Sequence, residues 1–485
     1  MAESPERFPS PIYAETVLAP NFEHAKQYFL DALIDIHYAH TRMLAKQGIL
    51  SHDVERALTA ALGSLHRKKI AAARFDGSCE DLFYFIETML EQACGRDVAG
   101  RMHTARSRND IAVTLYRMVA RAELLSLAHA IAELRSVILG LVEKHLETVM
   151  PAHTHTQPAQ PTTLAHYLLA AAEFLARDAE RIHTAFARVN LSPMGAAALT
   201  TSGFPIDRVY TAKLLGFEGL AENSYGAIAA IDYVVEAAAV VAVAMVSLGK
   251  LTQDLLLWSS REFGFLRLSD GFVQSSSIMP QKRNPVALEH TRILSSRALG
   301  DAQSVMLSAH NTPFGDINDS EDDLQPVIMS MFSSAVRALR LLAAALKSTE
   351  FDCKQMAERA QHNFLTVTEL ADTLVRSQGV SFREAHDLVA AAVQACKEDS
   401  PAAIAAELTK LKPGLKLKKA EILQALDPEH FIRIRKAEGG PAPERTGEAL
   451  KRARASQTEI MDWITAKASM LEISRLGLRR ENPTF

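Results

Sequence analysis

IAVTLYRMVARAELLSLAHAIAELRSVILGLVEKHLETVM, residues 111–150, contains no proline and a single glycine, Gly140. Apolar residues recur at Leu124, Leu127, Ile131, Leu134, Ile138 and Leu141. Spacings of three and four keep them on one stripe of a helix, and the reading predicts one long helix that Pro151 ends. At roughly 1.5 Å per residue such a rod is about 60 Å long, more than one small domain spans. Similar periodicity runs through about 162–189, 224–259, 285–310 and 324–348, while strand-like alternation is nearly absent. These segments predict an all-α chain built on five long helices. Residues 237–248 are apolar around much of the circumference, which a lone bundle leaves partly exposed. Burial against other copies of the chain, in a symmetric homo-oligomer, resolves that exposure.

Outward from the rods the pattern changes. Residues 1–110 read as shorter helices, for example 21–46 and 52–66. Residues 351–485 read as another set of short helices, broken at Lys412-Pro413-Gly414 and Gly439-Gly440-Pro441. Three domains are therefore expected: an N-terminal helical domain at 1–110, a central long-helix bundle at 111–350 and a C-terminal helical domain at 351–485.

The 485 residues are 48% hydrophobic and 23% charged, an ordinary globular balance, with a net charge of -4. No global field attracts nucleic acid or an anionic membrane, so neither is expected as a partner, and an anionic substrate needs local cations. Cys79, Cys94, Cys353 and Cys396 form no CxxC pair and are too sparse for a disulfide framework, which suits a reducing cytoplasm. The start of the chain, with Glu3 and Glu6, lacks the basic-then-apolar pattern of an export signal. The apolar uncharged stretch 237–249 is shorter than the roughly 20 residues a membrane span requires and reads as a buried helix.

Three polar clusters lie at the ends of the rods. His103-Thr104-Ala105-Arg106-Ser107-Arg108-Asn109-Asp110 places arginines, hydroxyls and an amide at a helix N-terminus, where free N–H groups and the helix dipole favour a carboxylate or phosphate; solvated arginines in a capping segment are the plain alternative. Pro151-Ala152-His153-Thr154-His155-Thr156-Gln157-Pro158-Ala159-Gln160-Pro161 is a proline-bounded turn carrying two histidines, the natural proton donors near neutral pH. His-x-His without a third ligand nearby is poor evidence for zinc. Ser275-Ser276-Ser277-Ile278-Met279-Pro280-Gln281-Lys282-Arg283-Asn284-Pro285 sets three hydroxyls, two cations and two amides before a helix that begins near Pro285.

The Ser-Ser-x-Met-Pro-x-Lys-x-Asn-Pro order of this last cluster resembles the signature of the fumarase/aspartase superfamily. With it, HTARSRND, THTQPAQP, SPMGAAALTTSGFPIDR, EFGFLRLSD and VSFREAHDLV resemble argininosuccinate lyases, in the same order and over about residues 34–455. The resemblance implies a three-domain all-α fold, a homotetramer with a twenty-helix core, and active sites shared between subunits. It implies cleavage of an N-succinyl amino compound to fumarate by β-elimination, argininosuccinate first, with no cofactor and no metal. Ser276 would be the base in a field set by Lys282, His155 would serve the departing amine, and Glu289 would pair with that histidine. Thr104, Ser107, Arg108, Asn109, Thr154, Gln157, Ser277 and Asn284 would bind substrate, the carboxylates of the succinyl half above all.

The sequence departs from the family at three places. Ser275 stands where a glycine is usual. Thr312-Pro-Phe-Gly-Asp-Ile-Asn-Asp-Ser-Glu-Asp-Asp323 replaces a segment with tyrosine, glutamine and lysine, the tyrosine falling near Phe314 or Gly315. Ile36-His37 takes the place of a Gly-Ser pair that helps to hold the amino-acid half. A changed amine half leaves another N-succinyl amine, of the ethylenediamine-disuccinate kind, as the alternative substrate. A non-catalytic crystallin-like structural protein and a metal-dependent hydrolase are the readings from other classes; the joint presence of Ser276, Lys282, Asn284, His155 and Glu289 argues against the first.

Overall fold

The computed structural model describes residues 8–480; the start of the chain read above for an export signal lies outside them up to residue 7. Its centre is a bundle of long helices: Arg108–Lys144, Leu164–Val189, Asp232–Trp258, Val286–Ala309 and Gln325–Lys347. Val286–Ala309 lies between Asp232–Trp258 and Gln325–Lys347, and Arg108–Lys144 packs on Leu164–Val189 and Gln325–Lys347. Their apolar stripes form one core that includes Leu124, Ile131, Leu168, Leu248, Phe332 and Leu339. The predicted all-α class and the long rods are therefore present.

The structure differs from the sequence reading in five places. The first helix stops at Lys144, six residues before Met150; His145 caps it, with Nδ1 3.1 Å from Thr148 Oγ1. Pro151 does not end a helix but lies in a strand, because Val149–Thr154 pairs antiparallel with Gln157–Thr163 in a hairpin. The 224–259 segment is two helices, Ser224–Ala229 and Asp232–Trp258, separated where Ala230 turns extended at ψ 117°; the 21–46 segment is likewise split at Phe29 into Ala19–Tyr28 and Leu30–Lys46. Finally, the C-terminal part holds a helix of 36 residues, Pro443–Leu478, that joins the bundle against Arg108–Lys144 and Leu164–Val189. Its apolar periodicity is weak because few of its residues touch the core, Leu450 and Ile464 among them.

Two further cores flank the bundle. One gathers Phe22, Phe29, Ile36, Leu44, Phe83 and Ile86 with Ile111, Leu115 and Tyr116 from the start of the Arg108–Lys144 helix. The other gathers Leu370, Leu374, Val389, Ile404 and Leu408. Buried guanidiniums tie the parts together: Arg135 donates to the Ala172 carbonyl at 2.9 Å and to Gln457 Oε1 at 2.7 Å, joining three long helices. Arg117 donates at 2.9 Å to the Arg188 carbonyl, one of the orphan acceptors at the end of its helix.

By length and composition alone three segments among the described residues are apolar enough to cross a membrane, Arg108–Lys144, Asp232–Trp258 and Asn318–Lys347. The count of uncharged residues at 237–249 missed this, since a span tolerates a few charges. Half or more of each apolar window is buried inside the bundle. On the outside, Val243, Val246, Ile293 and Leu307 expose large apolar side chains on adjacent helices, Leu307 by 75%.

Candidate active site

Local hydrogen bonding shapes the first cluster. Ser107 caps the Arg108–Lys144 helix, and Asp110 closes a capping box by accepting from the Ser107 N–H at 2.9 Å. The other Asp110 oxygen accepts from the Gly195 and Ala197 N–H groups at 2.9 and 3.0 Å, which ties the SPMGAAAL segment to the helix start. Burial pushes the Asp110 carboxyl up to about 6 although these three N–H bonds and Arg106 favour its anion. Gly195 is required there: its φ is +86°, and a Cβ would stand 2.7 Å from Arg208 Cγ.

Of the groups expected to bind substrate, Thr104, Ser107, Arg108 and Asn109 are gathered here, with internal partners, whereas Thr154, Gln157, Ser277 and Asn284 are not. Ser107 Oγ lies 2.7 Å from Asn109 Oδ1, and Thr104 Oγ1 donates to the Arg101 carbonyl at 2.8 Å. Arg108 donates to Glu80 and Asp81, each at 3.0 Å, and the Asn109 amide donates to Asp316 of the acidic 312–323 loop. Protein carboxylates thus stand where a carboxylate ligand is expected. Tyr116 donates to Asp322 at 3.1 Å, so the acidic loop is folded onto the helix start and is not a free surface loop. Between loop and helix lies a cavity of about 470 Å³, with Phe22, Phe29 and Leu33 on one wall and Asp316, Glu321 and Asp322 on another. Burial, reinforced by the neighbouring Asp316, raises the Glu321 carboxyl well above the ordinary carboxylate range.

One expected departure moves out of the site. Ile36 and His37, placed by sequence against the amino-acid half, are both 0% exposed inside the Leu30–Lys46 helix. Helical periodicity turns them into the N-terminal core, where His37 meets Arg106 and Phe83. Phe314, by contrast, is 65% exposed; its ring faces Tyr225 and its carbonyl accepts from the Tyr225 hydroxyl.

The histidine turn is the tip of the hairpin. Thr154 pairs with Gln157, and the two residues between, His155 and Thr156, both have positive φ, 52° and 61°, as a tight two-residue hairpin turn demands. Neither is glycine or asparagine, so the tip carries backbone strain that presents His155 to solvent. His153 points the other way, half-buried, with its ring 5.8 Å from that of Phe263 and its basicity lowered by burial.

The serine loop is also a hairpin. Gln274–Ser275 pairs with Arg283–Asn284, so Ser276 and Lys282 are the next residues up its two legs. Arg283 braces the base by donating to Asp270 at 2.5 Å and to the Leu268 carbonyl at 2.9 Å. Ser276 Oγ accepts from the Met279 N–H at 3.1 Å and, more weakly, from that of Ile278 at 3.4 Å. Ser277 and Lys282 are exposed, as is Ile278, by 82%. Asn284 is half-buried, and Glu289 lies exposed in the first turn of Val286–Ala309.

Two ends of the bundle divide these clusters. His153 against Phe263, Leu266 paired with Phe351, and Ser269 Oγ 2.8 Å from Ser348 Oγ place the hairpin tip and the serine loop at one end. The Ser107–Asn109 cluster begins the Arg108–Lys144 helix, whose 37 residues carry the chain about 55 Å to the hairpin. The acidic loop follows Val286–Ala309, 24 residues or about 36 Å from the serine loop, and touches Asn109. Within one chain, among the described residues, no hydrogen bond joins His155 to Glu289 or either to the first cluster. Nor does any group of three or more His, Cys, Asp or Glu there have the arrangement to hold a metal.

Sequence reasoning missed Asp110, Tyr116 and the Arg106–His37 contact. The Ser107-x-x-Asp110 spacing is a legible capping signal for the first; long-range contacts alone reveal the others.

A family model described as lyase matches residues 21–300, and one described as argininosuccinate lyase C-terminal matches 364–433. The chain is 42% identical over 455 residues to argininosuccinate lyase 2 of Agrobacterium fabrum, covering 92% of this chain and 90% of that protein. It is 38% identical to argininosuccinate lyase of Methanoculleus marisnigri, over 91% and 90%. Among solved structures, EDDS lyase in complex with formate superposes with a TM-score of 0.86 at 31% identity, over 97% of this chain and 94% of that one. Class II fumarase of Schistosoma mansoni, 16% identical with a TM-score of 0.70 over 87% and 92%, shares the fold.

Proposed function

The chain belongs to the argininosuccinate lyase family of the fumarase/aspartase superfamily, and from that membership we propose that it cleaves argininosuccinate to arginine and fumarate. It is a carbon–nitrogen lyase. Identity of 36–42% to argininosuccinate lyases over most of the chain carries the substrate reading.

In the reaction Ser276 Oγ removes a proton from the carbon beside a succinyl carboxylate. The electron pair moves into that carboxylate as a doubly negative aci-form, then forms the C=C bond of fumarate as the C–N bond breaks. Two N–H groups aimed at Ser276 Oγ, with Lys282 across the hairpin, favour the alkoxide a serine base requires. Lys282 and Asn284 stabilise the aci-form. His155, oriented by Glu289, protonates the leaving nitrogen, while Thr104, Ser107, Arg108, Asn109, Thr154, Gln157 and Ser277 hold the substrate. Substrate carboxylates displace Asp316 from Asn109 and recruit Arg108 from Glu80 and Asp81.

The complete site is assembled between subunits. The bundle ends that carry the two halves are tens of ångströms apart in one chain, and the exposed Val243, Val246, Ile293 and Leu307 supply an apolar surface for the homotetramer. Free cysteines and the absence of a disulfide among the described residues suit a cytoplasmic location.

Likeness to EDDS lyase supports a second reading, an N-succinyl diamine substrate. The greater identity to argininosuccinate lyases, 42% and 38% over nine-tenths of the chain, against 31% to EDDS lyase, favours the first. We expect kcat/KM for argininosuccinate to exceed that for ethylenediamine disuccinate by at least about tenfold, or about 1.4 kcal/mol in the transition state. Rates of fumarate release from both, and from adenylosuccinate and aspartate, check this. A preference for the disuccinate selects the second reading, and no fumarate from any of them defeats the reaction class.

A further inference from the structure

Beneath the Ser107–Asn109 cluster lies a buried set of charged and titratable groups to which the proposed reaction assigns no role. The Leu30–Lys46 helix turns His37 and His40, three residues apart on one face, toward the 103–107 loop. Arg106, whose side chain is 0% exposed, puts NH1 2.9 Å from His37 Nδ1. A guanidinium only donates, so Nδ1 accepts and the His37 proton resides on Nε2. His40 Nε2 lies 2.9 Å from the Thr104 carbonyl, which only accepts, so there the imidazole donates. Two neutral rings in opposite roles thus grip the chain on either side of Ala105, a non-glycine residue at φ 61°.

The other groups facing Arg106 hold it less closely. Glu87, from the Leu82–Cys94 helix, stands 3.5 Å from NH2 and 3.6 Å from His103 Nδ1, and Asp110 is engaged by three main-chain N–H groups. Arg106 Nε and NH2 have no hydrogen-bond partner among the described residues.

We infer that His37 and His40 are positioning residues for substrate binding, fixing Arg106 and the Thr104 carbonyl and thereby the backbone that carries Ser107, Arg108 and Asn109. Burial and the Arg106 charge hold both rings neutral, with His40 lowered to about 3. The anchor therefore keeps its protonation state across the pH range in which ordinary histidines titrate.

The inference rests on the proposed role of Ser107, Arg108 and Asn109 in holding the succinyl half, and fumarate is the probe. In the full-length protein, His37→Leu should weaken fumarate binding and raise KM by about tenfold or more while changing kcat by less than about threefold, because the lost acceptor touches Arg106 and none of the reacting groups. His37→Asn, whose amide oxygen falls near the Nδ1 position, should restore affinity to within about threefold of wild type. Calorimetric fumarate titration and steady-state kinetics read both. A folded His37→Leu that binds fumarate as wild type does, or equal losses in Leu and Asn, overturns the inference. Should His37→Leu not fold, Asn is compared with Gln, whose acceptor reaches the Nε2 position; Gln alone should bind weakly, and equal affinities overturn the inference. Wild type that releases no fumarate from argininosuccinate sinks the functional reading and this inference together, whereas wild-type release with an unaffected Leu variant overturns the inference alone.

Discussion

Ser276→Ala is expected to lower kcat for fumarate release by at least about 1,000-fold, since a removed proton acceptor must be replaced by water or a misplaced neighbour. Its cost to the fold should be small. The Ser276 hydroxyl accepts only from N–H groups of its own exposed loop, at 3.1 and 3.4 Å, and no core cluster includes it. Such bonds contribute about 1 kcal/mol each at most in a solvated loop, because water replaces them. The melting temperature should therefore stay within a few degrees of wild type, and fumarate should still bind through Ser107, Arg108 and Asn109. Parallel measurements of kcat, thermal midpoint and fumarate affinity separate the two effects. A well-folded variant that keeps a tenth of wild-type kcat leaves the base to another residue, Ser277 being the nearest hydroxyl in sequence.

Equally large in effect should be the recovery of activity when two dead variants are mixed. Ser276→Ala damages one end of the bundle and Asn109→Leu the other, and the helices between them set those ends about 36 to 55 Å apart in a single chain. No side chain spans that gap, so a site that uses both must draw them from different subunits. Denaturing the two variants together and reassembling them at equal amounts should give tetramers in which about one quarter of sites have Ser276 from one parent and Asn109 from the other, and hence about one quarter of wild-type activity. Each variant reassembled alone should stay inactive. A mixed population that is tetrameric by light scattering but dead, under conditions that restore wild type, rules out sharing between these two ends.

The relation of sequence to structure differs from element to element. Three-and-four spacing places the stripe from Leu124 to Leu141 against the core, and the starts read at 162 and 285 fall within a residue or two of the observed helices at Leu164 and Val286. Where a helix has little of its circumference in the core the same rule fails, as at Pro443–Leu478. The three polar clusters were legible as motifs because their chemistry needs particular side chains in a particular order.

By itself, then, the sequence determined the helical class, the long rods and the polar cluster at the start of the first rod, which follow from spacing and local capping, while the serine loop stood out by its resemblance to a family signature. Tertiary structure alone decided that the chain after His145 forms a hairpin, with His155 at its strained tip, because the strand partner of Val149–Thr154 lies beyond the turn. It likewise decided that His37 belongs to Arg106 and not to a ligand, that the acidic loop closes on Asn109, and that the two halves of the candidate site stand at opposite ends of the bundle. The physical reason is that each depends on a partner that helical spacing does not reveal, across the turn for the hairpin and distant in the chain for the others, and local propensity carries no information about which surface a side chain will meet.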